Sequence, residues 1–214
     1  QVRFANFVLS SPLLFFRHPV ERLQDVPAPA VVGGDGEREP GVAGGQALAL
    51  LDGSGWAPED VLAAVQESAR ILGQCGVAMV NAELIRIGAP DRFRNFHTPT
   101  SRELARALPL AKPTVYFVAG TRQFPAFDAE AIGRGNSRTR PELADTVWVT
   151  RGTRDLGIAL AHELAHVLMD SGEHSDELGN LMREDTAPGN TQLAELQCAR
   201  LRDIGTANDL LRAR

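Results

Sequence analysis

The chain has 214 residues, 43% of them hydrophobic and 23% charged, which is enough for one proper core and one appendage and excludes a miniprotein or a disordered tail. Lysine and arginine number 22 against 27 acidic side chains, and the resulting net charge of −5 removes the broad basic surface that nucleic acids and anionic membranes require. No run of eighteen apolar residues occurs, so no segment reads as a membrane span.

Residues 1–44 stand apart. An apolar patch over Ala5 to Phe16 gives way to Pro27, Pro29, Gly33, Gly34, Gly36, Pro40 and Gly41, a composition hostile to helix and to central strand. It reads as an arm or pro-segment ending in a linker, with the main domain over 45–214. The patch imitates a secretory signal, but Pro12 interrupts it, and Arg17, His18, Glu21, Arg22 and Asp25 crowd the region where small uncharged residues belong. A true signal is therefore expected upstream and already removed.

From Gln46 the pattern tightens. Ala47 to Leu51 predicts a short strand, and Pro58-Glu59-Asp60 opens a helix to Gly73 with Val61, Leu62, Val65, Ala69 and Leu72 at helical spacing. Val77 to Ile87 is strand-like, Thr100 to Leu108 a short helix, and Thr114 to Ala119 a β-branched and aromatic strand. Pro125 to Leu143 reads as irregular, Thr146 to Thr150 as a strand, and Thr153 as the N-cap of a helix to about Asp170. A last helix is predicted over 191–203. The alternation gives an α+β, α/β-like class: a mostly parallel sheet with covering helices.

Cys75 and Cys198 lie 123 positions apart, and neither belongs to a metal-ligand pattern. Two buried free thiols are one reading. Each cysteine ends or enters a predicted helix, however, where a disulfide staples distant elements, and a disulfide implies an oxidising compartment, secreted or periplasmic.

The chemistry concentrates in His162-Glu163-Leu164-Ala165-His166. At 3.6 residues per turn, positions four apart lie about 40° apart around the axis, so both imidazoles can meet one ion while Glu163 reaches a water beside it. Leu156, Ile158, Leu160, Leu164, Val167 and Leu168 cover most of the helix, which is therefore buried, and three polar residues inside it need partners that a metal supplies. Two histidines leave such a site one ligand short.

His174-Ser175, followed by Leu181-Met182, resembles the metzincins, and in particular their matrixin branch, in which HExxHxxGxxH is followed by a methionine-containing turn beneath the metal. The resemblance implies a zinc-dependent endopeptidase with one zinc on His162, His166 and His174, Glu163 as general base and Met182 as the Met-turn residue. The fold it implies is metzincin-like: a twisted sheet, a backing helix, the zinc helix, the Met-turn and a C-terminal helix. Its substrate, a protein or peptide, would lie along an edge strand within Ala126 to Arg140, against a pocket wall in Arg183 to Asn190. The third histidine lies eight after the second instead of six, and Gly172 six after it instead of three, which predicts nearly one extra helical turn. Glu173, Asp176 and, on a gluzincin pattern, Glu184 or Glu195 stay open as alternative ligands, whereas Asp170 lies too far from His162 along a straight helix. The serralysin and astacin branches carry a tyrosine where this chain has Glu184, and the only tyrosine, Tyr116, reads as core.

His18 and His97 are too scattered for a second zinc. Glu173, Asp176, Glu177, Glu184 and Asp185 offer a calcium site without matching a loop signature and read as an acidic rim. Arg134, Arg138 and Arg140 read as an exposed basic loop. Two rival functions stand beside the peptidase: a non-cleaving binding or inhibitory module on the same fold, and a latent protease blocked by its arm through Asp25 or Asp35.

Overall fold

The computed structural model describes residues 20–25, 41–122, 129–133 and 138–213. Nine strands and four helices follow in chain order among them: β1 (Val20–Asp25), β2 (Val42–Leu51), α1 (Pro58–Leu72), β3 (Val77–Ile87), β4 (Asn95–Phe96), α2 (Thr98–Ala107), β5 (Thr114–Phe117), β6 (Gly120–Thr121), β7 (Ala129–Ile132), β8 (Thr146–Val149), α3 (Leu156–Met169), α4 (Glu195–Ala207) and β9 (Arg212–Ala213). The main sheet runs β1-β3-β2-β5-β8-β7, with β9 paired to the start of β2. Its interior pairings, β3 with β2, β2 with β5 and β5 with β8, are parallel, and the two outer strands β1 and β7 are antiparallel to their neighbours. No helix among the described residues is long and apolar enough to cross a membrane.

β5, β8 and the second half of β2 are buried on both faces, which is why they read as continuous apolar runs. Leu48, Leu50, Val115, Phe117, Val147 and Val149 face one core, completed by α1, α3 and α4. Their neighbours Ala47, Ala49, Leu51, Tyr116 and Trp148 face a second, closed by α2 and the short turns at 91–93 and 141–143. The period of two along each strand separates the two sets. Tyr116 stacks on Trp148 with ring centroids 4.0 Å apart and is 1% exposed, a core residue.

The strand β2 begins at Val42, five residues before the predicted Ala47. Glycines usually weaken a strand, but here they admit the C-terminal segment: a Cβ on Gly44 would lie 2.8 Å from the Leu211 side chain and 3.0 Å from the Leu210 carbonyl. The predicted irregular stretch from Pro125 holds β7, and the last helix starts at Glu195 instead of Thr191. Thr153 is not the cap of α3; Asp155, in the left-handed region at φ 44°, precedes it, and its carbonyl accepts the Ile158 and Ala159 amides.

α3 is the centre of the molecule. All but two of its residues, Leu156 and Glu163, are buried. It crosses α1 so closely that a Cβ on Gly157 would lie 2.5 Å from Cβ and Cγ of Glu67 and 3.3 Å from the Ala64 carbonyl. Cys75, in the turn after α1, and Cys198, in α4, are joined by a disulfide with Cα atoms 4.8 Å apart.

Gly157→Ala is expected to destabilise by about 1–3 kcal/mol, because the helices must part, and a melting midpoint lower by about 2–4 °C per kcal/mol would show it. Gly73→Ala, where an added Cβ meets nothing within 4 Å, is the control and should leave the midpoint unchanged or raise it.

Candidate metal centre

Positions 162 and 166 lie one turn apart on the same side of α3, and the chain beyond the helix returns His174 to them. Nε2 of His166 is 2.9 Å from Nε2 of His162 and 3.3 Å from Nε2 of His174, and one ligand atom of each histidine falls within 4.8 Å of the others. His162 and His166 are buried and His174 is exposed, so the cluster opens on one side.

The hydrogen bonds decide what these nitrogens are. Nδ1 of His162 lies 2.8 Å from the Leu181 carbonyl, and Nδ1 of His166 lies 2.6 Å from the Ser171 carbonyl. A carbonyl only accepts, so each Nδ1 carries the hydrogen. Each Nε2 of a neutral ring then presents a bare lone pair, and two lone pairs 2.9 Å apart repel unless a cation lies between them. Two nitrogens bound to one zinc at 2.0–2.1 Å with a tetrahedral angle sit about 3.3 Å apart. The donor set therefore fits a zinc ion.

Protonation is suppressed at both helix positions. Burial holds His162 below its ordinary value and pushes His166 down to about 4, with the neighbouring imidazoles acting the same way and the carbonyl acceptors opposing them. Neutral rings are the form that binds metal.

Glu163 points into the same cleft from the next position on the helix. Burial pushes its carboxyl up to about 8, helped by Glu130 and opposed by a hydrogen bond from the Ala131 amide. Glu130, on β7, is raised to about 7 by burial against the pull of Arg140. A cation at the histidines draws Glu163 back toward the ionised form. Sequence reasoning did not find Glu130, since β7 lies in a stretch without alternating hydrophobicity.

The cleft, about 910 Å³, is lined by β7 and Gly133, by Asp170, Ser171, Gly172 and His174, and by Glu184, Asp185 and Thr186. A strand, β7, lies within the range 126–140, and three cleft-lining residues lie within 183–190. Arg138 and Arg140 lie in the turn after β7, whereas Arg134, Asp35 and His18 are outside the described residues. His97 precedes α2.

The expected extra helical turn is absent. α3 ends at Met169, and the residue that reverses the chain is Asp170, in the left-handed region at φ 46°. Asp and Asn tolerate that region better than most side chains. Ser171 then closes the turn twice, donating its amide to the His166 carbonyl and accepting the His166 imidazole. The two additional residues are absorbed in this loop, and Gly172, expected at the reversal, sits where an added Cβ would meet nothing.

Farther on, Asn180 to Arg183 forms a turn in which Leu181 and Met182 are buried, and the Ser175 amide donates to the Met182 carbonyl. The alternative ligands Glu173, Asp176, Glu184 and Glu195 do not join the histidines. Glu173 pairs instead with Arg200 at 2.9 Å. The acidic residues weighed as a calcium site and read as an acidic rim form no metal-ligating group of three among the described residues.

Solved structures share the fold, and two of them serve as examples. Metalloproteinase-II from Bacteroides fragilis superposes with a TM-score of 0.54 at 16% identity, over 76% of this chain and 53% of that one. Archaemetzincin from Methanopyrus kandleri superposes with a TM-score of 0.52 at 12% identity, over 77% of this chain and 96% of that one. The chain thus spans about half the length of the Bacteroides structure it matches, and at these identities the likeness is one of fold. No protein-family model and no curated protein matches the sequence.

Purified chain is expected to hold one zinc after dialysis, read by elemental analysis, with His166→Ala losing it and His174→Ala retaining it only weakly. Gly172→Ala should leave both the zinc content and the melting midpoint unchanged, within about 0.5 kcal/mol. A clear loss in that variant would place the chain reversal at 172 after all.

Proposed function

We propose that the chain is a zinc-dependent endopeptidase of metzincin type, with His162, His166 and His174 as zinc ligands, Glu163 as general base and Met182 as the methionine of the turn beneath the metal. The observation that carries this is the convergence of three imidazole nitrogens, two of them, on His162 and His166, left as bare lone pairs by the hydrogen bonds of their rings, with Glu163 beside them in an open cleft. The shared fold with metallopeptidase structures supports it, and the sequence around His174 and Met182 favours the matrixin branch.

Zinc supplies Lewis acidity, polarising the scissile carbonyl and acidifying the attacking water. The chain does the rest. Glu163 takes a proton from the water and passes it to the departing amine, from a carboxyl moored by the Ala131 amide. β7 is the outermost strand on its side among the described residues, so its free edge can pair with an extended peptide, antiparallel as the family resemblance implies. With Tyr116 in the core and Glu184 after the turn, no tyrosine from the chain assists the developing oxyanion.

A protein or peptide substrate follows from this reading, and so does secretion or a periplasmic location, which the Cys75–Cys198 disulfide favours. Within the proposed division into an arm over 1–44 and a peptidase domain over 45–214, β1 pairs with β3 at the sheet edge opposite β7. That position favours an arm that extends the sheet over one that plugs the cleft.

Glu163→Gln tests the mechanism. It should keep zinc and fold while cleavage of a mixed peptide library, read by mass spectrometry, falls by about 10²–10⁴-fold. Undiminished internal cuts by the variant would remove Glu163 from the role of base, and terminal trimming alone by the wild type would replace endopeptidase with exopeptidase.

A further inference from the structure

We propose that Gln197, acting through Asn180, is a positioning residue for the metal centre that sets how tightly the three histidines hold zinc; the inference rests on the zinc reading above. His162 is aimed by one acceptor, the Leu181 carbonyl, so whatever fixes Leu181 fixes the ring. The Leu181 amide donates to the Gln192 carbonyl at 2.6 Å, and the Gln192 amide donates to Gly179 at 2.9 Å, which ties the turn to the segment leading into α4.

The peptide on the other side of Leu181 is held by a side chain. The Met182 amide donates to Oδ1 of Asn180 at 2.9 Å. Asn180 is 3% exposed and is joined twice to Gln197: its Nδ2 donates to Oε1 of Gln197 at 3.0 Å, and Nε2 of Gln197 donates back to its Oδ1 at 3.3 Å. Oε1 of Gln197 also accepts the Ala194 amide at 2.8 Å, so the head group is fixed from both sides.

Gln197 immediately precedes Cys198, and Gln74 immediately precedes its disulfide partner Cys75. Gln74 performs the matching task on the far side of the turn. Its amide nitrogen donates to the Thr191 carbonyl at 2.9 Å and its oxygen accepts the Leu193 amide at 3.0 Å, bracketing Gln192. Two glutamines flanking one disulfide therefore hold the two runs of chain that present the Leu181 carbonyl. Groups that orient a ligating histidine tune metal affinity although they never touch the ion.

The test is zinc affinity by chelator competition, with the visible absorption of the Co²⁺-loaded chain as the signature of ligand geometry. Gln197→Met keeps the length of the side chain and removes both amide atoms, and Leu196→Ala, at an 83% exposed site on the same turn, is the control. The metal-free variant should remain folded, bind zinc at least about tenfold more weakly and show an altered Co²⁺ spectrum, with the control at wild-type values. A merely structural Gln197 would lower the melting midpoint of the metal-free chain and leave affinity, measured on folded protein, unchanged. Wild-type affinity and spectrum in Gln197→Met overturn the positioning role and leave the zinc reading standing; a wild-type chain that binds no zinc overturns both.

Discussion

Everything at the centre of this molecule depends on two N–H···O=C bonds, from His162 to Leu181 and from His166 to Ser171. A buried helix has no room for polar side chains without partners, since each unpaired group costs on the order of 1–3 kcal/mol. The two carbonyls satisfy one nitrogen of each ring and by doing so leave the other nitrogen a pure acceptor. The apolar packing of α3 against α1, α4 and the sheet then keeps water from competing for those bonds. Burial and metal-binding capacity are thus the same arrangement seen from two sides.

The acceptors come from opposite directions. Ser171 lies five residues beyond His166 and is delivered by the helix end itself, through the left-handed Asp170. Leu181 is delivered by a turn whose position depends on α4 and on the segment before it. The first is local and survives any rearrangement that preserves the helix terminus. The second reports on tertiary structure, so the geometry of the cluster is sensitive to how α4 docks.

The sequence shows the elements that have a period. His162, Glu163 and His166 are legible because a helix fixes their relation, and the parallel strands are legible because burial on both faces makes them uniformly apolar. What it hides is set by contacts between distant segments. Gly44 looks like linker until Leu210 and Leu211 are laid against it. Asp170 gives no sign that it, and not Gly172, reverses the chain, because a single left-handed residue leaves no periodic trace. Glu130 stands in a short edge strand with an alanine on either side, too brief for alternation to show. The Asn180–Gln197 pair joins positions 17 apart on different elements, beyond the reach of any local pattern.

The disulfide has one more consequence. It closes a loop of chain from Cys75 to Cys198 that contains β3, β7, α3 and the turn bearing Met182, so every described residue lining the cleft lies inside the ring. A chain with the proposed endopeptidase activity would be exposed to its own copies. A single nick anywhere between those cysteines leaves two segments still covalently joined, with α1 and the C-terminal part of α4 attached to either side. One cut inside the ring therefore releases no fragment until the bridge is reduced, and a singly nicked population migrates as one species without reductant and as two with it.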